Sequence, residues 1–489
     1  MSEFLVDLPQ PGTTACIVVG QLDAISPARL ALYRDLLWCG AALVVPSAYA
    51  GRVARLTPGA PDLAAQIERF LRRDPRHLPA LLVTADAGTP AYAAVLGEIH
   101  TALESAHRTR LTRQQDGFTW QRHILQNIPA YVRHRLPADW AGALRGLPAI
   151  VCGAGPSLDV SLPALAAAAS QAVVFAADSA LRALDRVGVA ADFAVSIDAA
   201  KVPEKCLPPT RPPARVLLAS VSPPAWSHVP SETPPLFLSS PQVTDDWLAT
   251  HDVARTALAV SESCGSTALA LAEHLGCGPI YLFGLDLAVD DSDPARRHQK
   301  DADPALYRAS NYDPTVRLPR VPGNYAETVP CFALGDWRAL DARLADQAPG
   351  RVFNITDRGA RLRGTTVIHP GQFTLPAPTA EKGPRLARLT AVPREHPAVL
   401  TRLAALGARA EAALPVLRRA FAVGGPADLA AAFRPLVTDP ELGRALGAFS
   451  LKLMPHLVPP TEGDRPFWAG LLEEYAALVP LLRSASTTT

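Results

Sequence analysis

Short, unbroken apolar runs recur along the chain, and segments with a helical rhythm lie between them. The centre, 147–335, shows this most clearly. Its runs are PAIVC (148–152), AVVFAA (172–177), FAVSID (193–198), RVLLAS (215–220), LFLS (236–239) and PIYLFG (279–284). Apolar runs of this length bounded by turn residues predict strands buried on both faces. LPALAAAAS (162–170) and STALALAEHLG (266–276) predict helices between them. Strand followed by helix, repeated, predicts an α/β fold: a mostly parallel, Rossmann-like sheet covered by helices. Ligands of such sheets sit beyond the carboxyl ends of the strands.

The flanks read differently. ACIVVG (15–20), ALVVP (42–46) and ALLVTAD (80–86) predict strands, while ARLALYRDLLWCG (28–40) and DLAAQIERFLRR (62–73) predict helices. A small N-terminal α/β domain over 1–114 follows. Asp86, Gly88 and Thr89 come after its last strand, as a ligand loop or an ordinary turn. Residues 100–146 read mostly as helix. They hold Arg122, His123, Asn127, Arg133, His134 and Arg135, either a basic face beside an anion or a solvated face. The central domain spans 115–375. Within it, 286–335 lacks periodicity and reads as a lid or binding loop, with disorder as the competing reading. After a Pro/Thr-rich join, 380–489 is an all-helical C-terminal domain.

Composition narrows the classes. Of the 489 residues, 48% are hydrophobic and 19% charged, a globular balance. Lys plus Arg number 47 and Asp plus Glu 46, so no basic field points to nucleic acid. The seven cysteines are odd in number and contain no CxxC, which argues against a disulfide framework and a zinc knuckle. The opening MSEFLVDLPQPG has no basic start before an apolar stretch, and no run reaches transmembrane length. The expected location is cytoplasmic, without membrane insertion. The G-x-S-x-G, HExxH and P-loop patterns are absent from the sequence.

The chemistry concentrates at strand ends. GAGPSLD (153–159) follows the first central strand. Gly153 and Gly155 permit a tight turn, Pro156 follows, and exposed amides before a helix favour phosphate. A bare structural turn is the competing reading, since Leu158 stands where a dinucleotide fingerprint has its third glycine. Ser157 and Asp159 either contact a ligand or cap the next helix. The following strands end in Asp178 and Ser179, then in Asp198. On a parallel sheet all three junctions face one edge. Ser263, Gly265 and Ser266 precede a helix that Ser266 and Thr267 either cap or equip to hold a phosphate or ribose at its positive end, and the next strand delivers Gly284 and Asp286. The loop after it carries Asp290, Asp291 and Asp293, then Arg296, Arg297 and His298, with Arg308 and Arg317 beyond. The acids suit a divalent cation or a solvated turn, the arginines an anionic substrate, and His298 proton transfer.

Together, GAGPSLD (153–159), FAADSALRALDRVGVAADFAVSID (175–198), SCGSTALALAEHLGCGPIYLFGLDLA (263–288) and NITDRGARLRG (354–364) resemble the bacterial motility-associated factor (Maf) family of flagellin glycosyltransferases. The central domain of that family is similar to 6-hydroxymethylpterin pyrophosphokinase-like proteins and to bacterial sialyltransferases. The resemblance covers 115–375 well and the flanks loosely. It implies transfer of a nonulosonic acid, of pseudaminic or legionaminic type, from a CMP-activated donor to Ser or Thr hydroxyls of flagellin. It further implies that Gly153, Gly155, Ser157, Asp178, Asp198, Ser263, Gly265 and Ser266 line the donor pocket. Asp286 and His298 are then the candidates for proton handling. Two departures stand out: Cys264 replaces a glycine before the Gly-Ser pair, and DDSDPARR (290–297) replaces a compact glycine-rich turn before His298. Two other functions fit the same residues. One is pyrophosphate transfer from ATP to a hydroxymethylpterin, with a metal at 290–293. The other is a non-catalytic, flagellin-binding assembly factor.

Overall fold

The computed structural model describes residues 4–5, 14–40, 51–57, 60, 62–71, 78–84, 90–208, 210–303, 318–376, 381–457 and 465–485. The chain divides into two compact units, Met1–Gly117 with Phe449–Asp464, and Phe118–Ala448 with Arg465–Thr489. Segments from the C-terminal helical region thus contribute to both.

The first unit contains a five-stranded sheet. Its strands are β1 (Phe4–Leu5), β2 (Ala15–Val19), β3 (Asp35–Cys39), β4 (Val53–Arg55) and β5 (Ala80–Val83). Their order is β1-β5-β2-β3-β4, parallel except for β1. The helix expected over 28–40 is a correction: only Pro27–Leu30 is helical, and β3 follows. Leu37 and Cys39 pack into one core, Leu36 and Trp38 into another. Burial on both faces leaves no alternation to separate a strand from a helix. The predicted strand at 42–46 and the Asp86–Gly88–Thr89 turn lie outside the described residues.

The second unit is built on eight parallel strands. They are β6 (Ala149–Cys152), β7 (Val173–Ala177), β8 (Phe193–Ser196), β9 (Arg215–Leu218), β10 (Leu236–Phe237), β11 (Ile280–Phe283), β14 (Val352–Ile355) and β15 (Thr366–Ile368). A hairpin of β12 (Arg320–Pro322) and β13 (Thr328–Pro330) lies inside the segment read as a loop. The sheet order is β10-β9-β8-β7-β6-β11-β14-β15. All six strands predicted for the centre are present. Strands β14 and β15 were not predicted, because VFNI has a polar residue inside it and TVI is only three residues, none of them buried.

Helices Leu158–Ala168, Leu181–Arg186, Cys264–His274 and Leu334–Leu344 alternate with the strands. Phe175 and Phe193 stack at 4.9 Å between ring centres, and Trp140 meets Phe193 edge-on. Burial of such apolar surface supplies about 25 cal/mol per Å² toward holding the layers together. Helix Pro397–Gly424 packs with Arg465–Ser484 and Pro426–Thr438, with Phe433 and Tyr475 in edge-to-face contact. The expected small α/β sheet, mostly parallel central sheet and C-terminal helices are therefore all observed. Among the described residues, no helix is long and apolar enough to cross a membrane.

Candidate functional site

Strands β6 to β10 run outward in chain order on one side. Strand β11 returns to the other side of β6. The loops after β6 and β11 therefore leave the sheet in opposite directions, the arrangement that opens ligand sites in parallel sheets. Here the two loops are joined. The Gly153 N–H donates to the Phe283 carbonyl at 2.8 Å, and the Gly155 N–H to the Gly284 carbonyl at 2.7 Å. Asp286 accepts from the Ser157 N–H at 2.7 Å and from the Ser157 hydroxyl at 2.5 Å. Thr356, at the end of β14, donates its hydroxyl to the same carboxylate at 3.5 Å.

Glycine is required at two of these positions. A Cβ on Gly155 would stand 2.5 Å from Asp286 Oδ2 and 2.8 Å from the Gly284 carbonyl oxygen. Gly284 has φ +63°, and a Cβ there would stand 2.7 Å from the Gly153 carbonyl oxygen. The GAG turn thus lets two strand ends touch. Ser157 is fully buried and Asp286 is 3% exposed. Burial raises the Asp286 pKa above the ordinary carboxylate range, and the two bonds from Ser157 oppose the rise. Pro156 and Gly284 are buried beside them.

The next junctions form an adjoining cluster. Asp178, 2% exposed, accepts from the Ser179 N–H at 2.7 Å and hydroxyl at 3.0 Å, and from the Ser196 hydroxyl at 2.8 Å. Burial raises its pKa, while the charge of Lys201 lowers it. The Cys264 thiol donates to Asp178 at 3.5 Å, which brings the start of helix Cys264–His274 to the end of β7. Gly265 packs against Leu285, the neighbour of Asp286. Asp198 is exposed and accepts from the Ala200 N–H at 2.8 Å, closing a turn that leads to buried Lys201.

The cap of helix Cys264–His274 corrects the expectation for Ser266 and Thr267. Ser263 is the N-cap; its hydroxyl accepts from the Ser266 N–H at 3.2 Å, and the Ser266 hydroxyl accepts from the Ser263 N–H at 2.9 Å. This reciprocal pair is a capping box with serine in place of the usual Glu or Gln. Thr267 instead accepts from the Ser261 N–H at 2.9 Å.

Residues 296–301 fold back over these strand ends. The Gln299 N–H donates to the Ala154 carbonyl at 2.8 Å, and its side-chain amide to the Ser179 carbonyl at 3.1 Å. Asp159 gathers three donors: Arg296 at 2.6 Å, Arg186 at 3.2 Å and the Lys300 N–H at 3.0 Å. Arg297 lies over the Phe332 ring, 5.3 Å from its centre, and His298 meets that ring edge-on. The His298 pKa is lowered to about 3, chiefly by burial, then by the charges of Lys201 and Arg297. A hydrogen bond to the Ala154 backbone opposes the shift. The imidazole is therefore neutral near pH 7.

Other candidates take different places. Asp291 forms a bidentate pair with Arg320, and Asp290 accepts from the Ser292 N–H and hydroxyl. Among the described residues, no group of three His, Cys, Asp or Glu side chains is placed to hold a metal. The acids at 290–293 do not form such a cage. Arg308 and Arg317 lie outside the described residues. On the long helix Pro90–Arg133, Asn127 donates to the Ser220 and Ser222 carbonyls at 3.0 and 2.8 Å. His123 contacts the Val221 carbonyl at 2.9 Å. Beyond that helix, Arg135 donates to the Ser239 hydroxyl at 2.7 Å. These groups tie the segment to the ends of β9 and β10.

Sequence reasoning passed over Lys201, Gln299, Phe332, Thr356 and Arg358. The last two stand in NITDRG, whose strand went unrecognised. It also missed Asp336, pushed up to about 6 by burial and by Glu262, the residue before the Ser263 cap. A separate cleft of about 700 Å³ opens at the amino edge of the sheet, lined by Gly142, Arg145, Glu273, His274, Gly278 and Arg351. We place the site at the carboxyl edge, because buried, mutually bonded polar groups from several strand ends converge there.

No curated protein sequence matches the chain. A solved structure, described as that of MAf glycosyltransferase from Magnetospirillum magneticum AMB-1, is similar, with a TM-score of 0.57. The two are 16% identical, and the match covers 99% of this chain and 80% of the other. At that identity the likeness is one of fold. Residues 122–292 match the family model described as 6-hydroxymethylpterin diphosphokinase MptE-like. The central domain therefore matches the MptE-like family, within a chain folded like a Maf glycosyltransferase.

Proposed function

We propose that the carboxyl rim of the eight-stranded sheet binds a CMP-activated nonulosonic acid and that the protein transfers the sugar to Ser or Thr hydroxyls of flagellin. The observation that carries this reading is the convergence of loops 153–159, 178–179, 196–201 and 284–286 with the start of helix Cys264–His274. The fold likeness to a glycosyltransferase and the motif resemblance support it. In the reaction, the bond between the sugar's anomeric carbon and a phosphate oxygen breaks, and CMP leaves with the electron pair. The acceptor oxygen bonds the anomeric carbon and loses its proton to His298. Amides at the helix start and Arg296 and Arg297 favour the leaving anion. Gly153, Gly155, Pro156, Ser157, Gly284 and Asp286 hold the rim in shape. Asp286 acts through Ser157 as a positioning residue. Asp159, Asp178, Ser179, Asp198, Ser263, Gly265 and Ser266 complete the donor surroundings.

Purified protein incubated with flagellin and CMP-pseudaminic or CMP-legionaminic acid should add one or more sugar masses to flagellin. No mass gain with either donor, while a working transferase modifies the same flagellin, overturns the reading. The match to the MptE-like model favours a second reading, diphosphate transfer from ATP to a hydroxymethylpterin. Calorimetry separates them, since the first predicts binding of CMP and the second binding of ATP. Binding of flagellin without either nucleotide would support an assembly factor.

A further inference from the structure

We propose that the cleft at the amino edge of the eight-stranded sheet docks an extended, acidic peptide segment of a protein partner, held by Arg145 and Arg351. The cleft lies at the edge opposite the proposed donor site, and its occupancy does not depend on the transferase reading. It has a volume of about 700 Å³ and lies within the second unit. Its walls are the turn before β6, the end of helix Cys264–His274 and the approaches to β11 and β14.

The negative groups along these walls are already engaged. The Glu273 carboxylate accepts from Arg343 Nε at 3.0 Å and from the Gln347 amide at 3.4 Å. A helix end leaves carbonyls without partners. Here the Ala272, Glu273, His274 and Leu275 carbonyls accept from the N–H groups of Cys277, Gly276, Gly142 and Leu144 at 3.0, 2.9, 2.9 and 2.8 Å. The positive groups are not engaged. Arg145 and Arg351 are exposed, and among the described residues neither guanidinium has a hydrogen bond or ion pair. The unspent charge of the cleft is therefore that of two arginines.

Arg145 is also held in position. A Cβ on Gly142 would stand 3.3 Å from one of its guanidinium nitrogens, and a Cβ on Gly276 2.9 Å from the Gly142 Cα. These two glycines, at φ +72° and +80°, let the guanidinium lie across the turn. Arg385 donates to the Arg145 carbonyl at 2.5 Å and pins the backbone beneath it.

Guanidinium forks suit carboxylates, with two donors for two oxygens. Pockets for small molecules are mostly apolar and aromatic. This cleft has no Phe, Tyr or Trp in its lining, so a nucleobase finds no face to stack on. Four of its residues are glycines, and a Cβ added at Gly278 or Gly350 meets nothing within 4 Å. Bare main chain facing open space lets another main chain come close. In an extended peptide, side chains two positions apart lie on one side, about 7 Å from each other. Two acidic residues so spaced present both carboxylates to the same wall.

The test uses the full-length protein and fluorescence anisotropy. The probe is a fluorescein-labelled Gly/Ala peptide carrying two glutamates two positions apart, compared with its glutamine counterpart. At low salt the acidic peptide should bind with a Kd below about 1 mM, and the glutamine peptide about tenfold more weakly or worse. Arg145→Ala and Arg351→Ala should each weaken the acidic peptide about five- to tenfold. Gly278→Gln fills the cleft, leaves both arginines in place and should weaken it about tenfold. No binding by the wild type at about 1 mM, equal binding of the two peptides, or unchanged affinity in either arginine variant overturns the proposal. Free glutarate that displaces the probe as well as unlabelled peptide does would put a small acid in the cleft and overturns peptide docking. Displacement by CMP would make this the nucleotide site and overturns it too; CMP without effect on the probe supports two separate sites.

Discussion

Helix Cys264–His274 spans the second unit from one edge of its sheet to the other, and its two ends differ. At its start are the Ser263 cap, Gly265 against Leu285, and buried carboxylates from β7 and β11. At its finish, Glu273 and His274 line a cleft of about 700 Å³ among glycine turns, with Arg145 and Arg351 exposed. The open volume is at the second edge and the interlocked polar chemistry at the first. A helix start carries positive partial charge and a helix end negative. In a parallel sheet every strand-to-helix loop puts a start at the carboxyl edge. On the proposed reading the helix start, set against these carboxylates, draws the donor's anion to the rim and not to the larger opening.

Experiments that separate the edges follow, from the largest expected effect to the smallest. Asp286→Ala leaves the buried Ser157 N–H and hydroxyl without their acceptor and should cost about 3 kcal/mol of stability by urea titration. An unshifted midpoint would show that the rim does not depend on this carboxylate. Gly155→Ala forces a Cβ toward Asp286 and the Gly284 carbonyl, at a cost of about 1–3 kcal/mol measured the same way. A change at an open amino-edge glycine, Gly278→Ala, should cost clearly less, since a Cβ there meets nothing within 4 Å.

Acid reports on His298. Its folded pKa, about 3, is below the unfolded value near 6.5, so between these values the unfolded chain binds more protons. Its contribution is constant above about pH 6.5 and is lost as pH falls toward about 3. His298→Gln should flatten that part of the stability–pH curve; an unchanged slope would contradict the neutral imidazole. The smallest effect belongs to the amino edge. Arg145→Ala with Arg351→Ala should change CMP affinity by less than about twofold, and a larger loss would move the anion site to the wrong edge.

Legibility in the sequence followed the physics of each signal. Six central strands were readable because each is an apolar run ending in Gly, Ser or Asp, and those endings also exposed Ser157, Asp178, Asp198 and Asp286. Strand β3 was misread because no turn residue separates DLLWC from ARLALYR before it, so the two joined into one helical rhythm. Strands β14 and β15 were too short and too polar to register, and Thr356 and Arg358 went with them. Lys201 was invisible for another reason. It follows Asp198 in an unremarkable DAAK turn, and only the fold shows that the turn is closed by the Asp198 carbonyl and that the lysine is buried. Pairing across a sheet, not local pattern, determined which polar residues became neighbours.

Asp159 fastens a distant part of the chain. Arg296 and the Lys300 amide, which bracket His298, both bind this carboxylate, and Arg186 steadies it from the other side. Dissolved ions reach these pairs through the half-exposed Arg186 and Arg296 side chains, although Asp159 itself is largely covered. Ionic strength should therefore act as a throttle, loosening the strap that carries the imidazole while the buried Ser157–Asp286 lock beneath it stays shut.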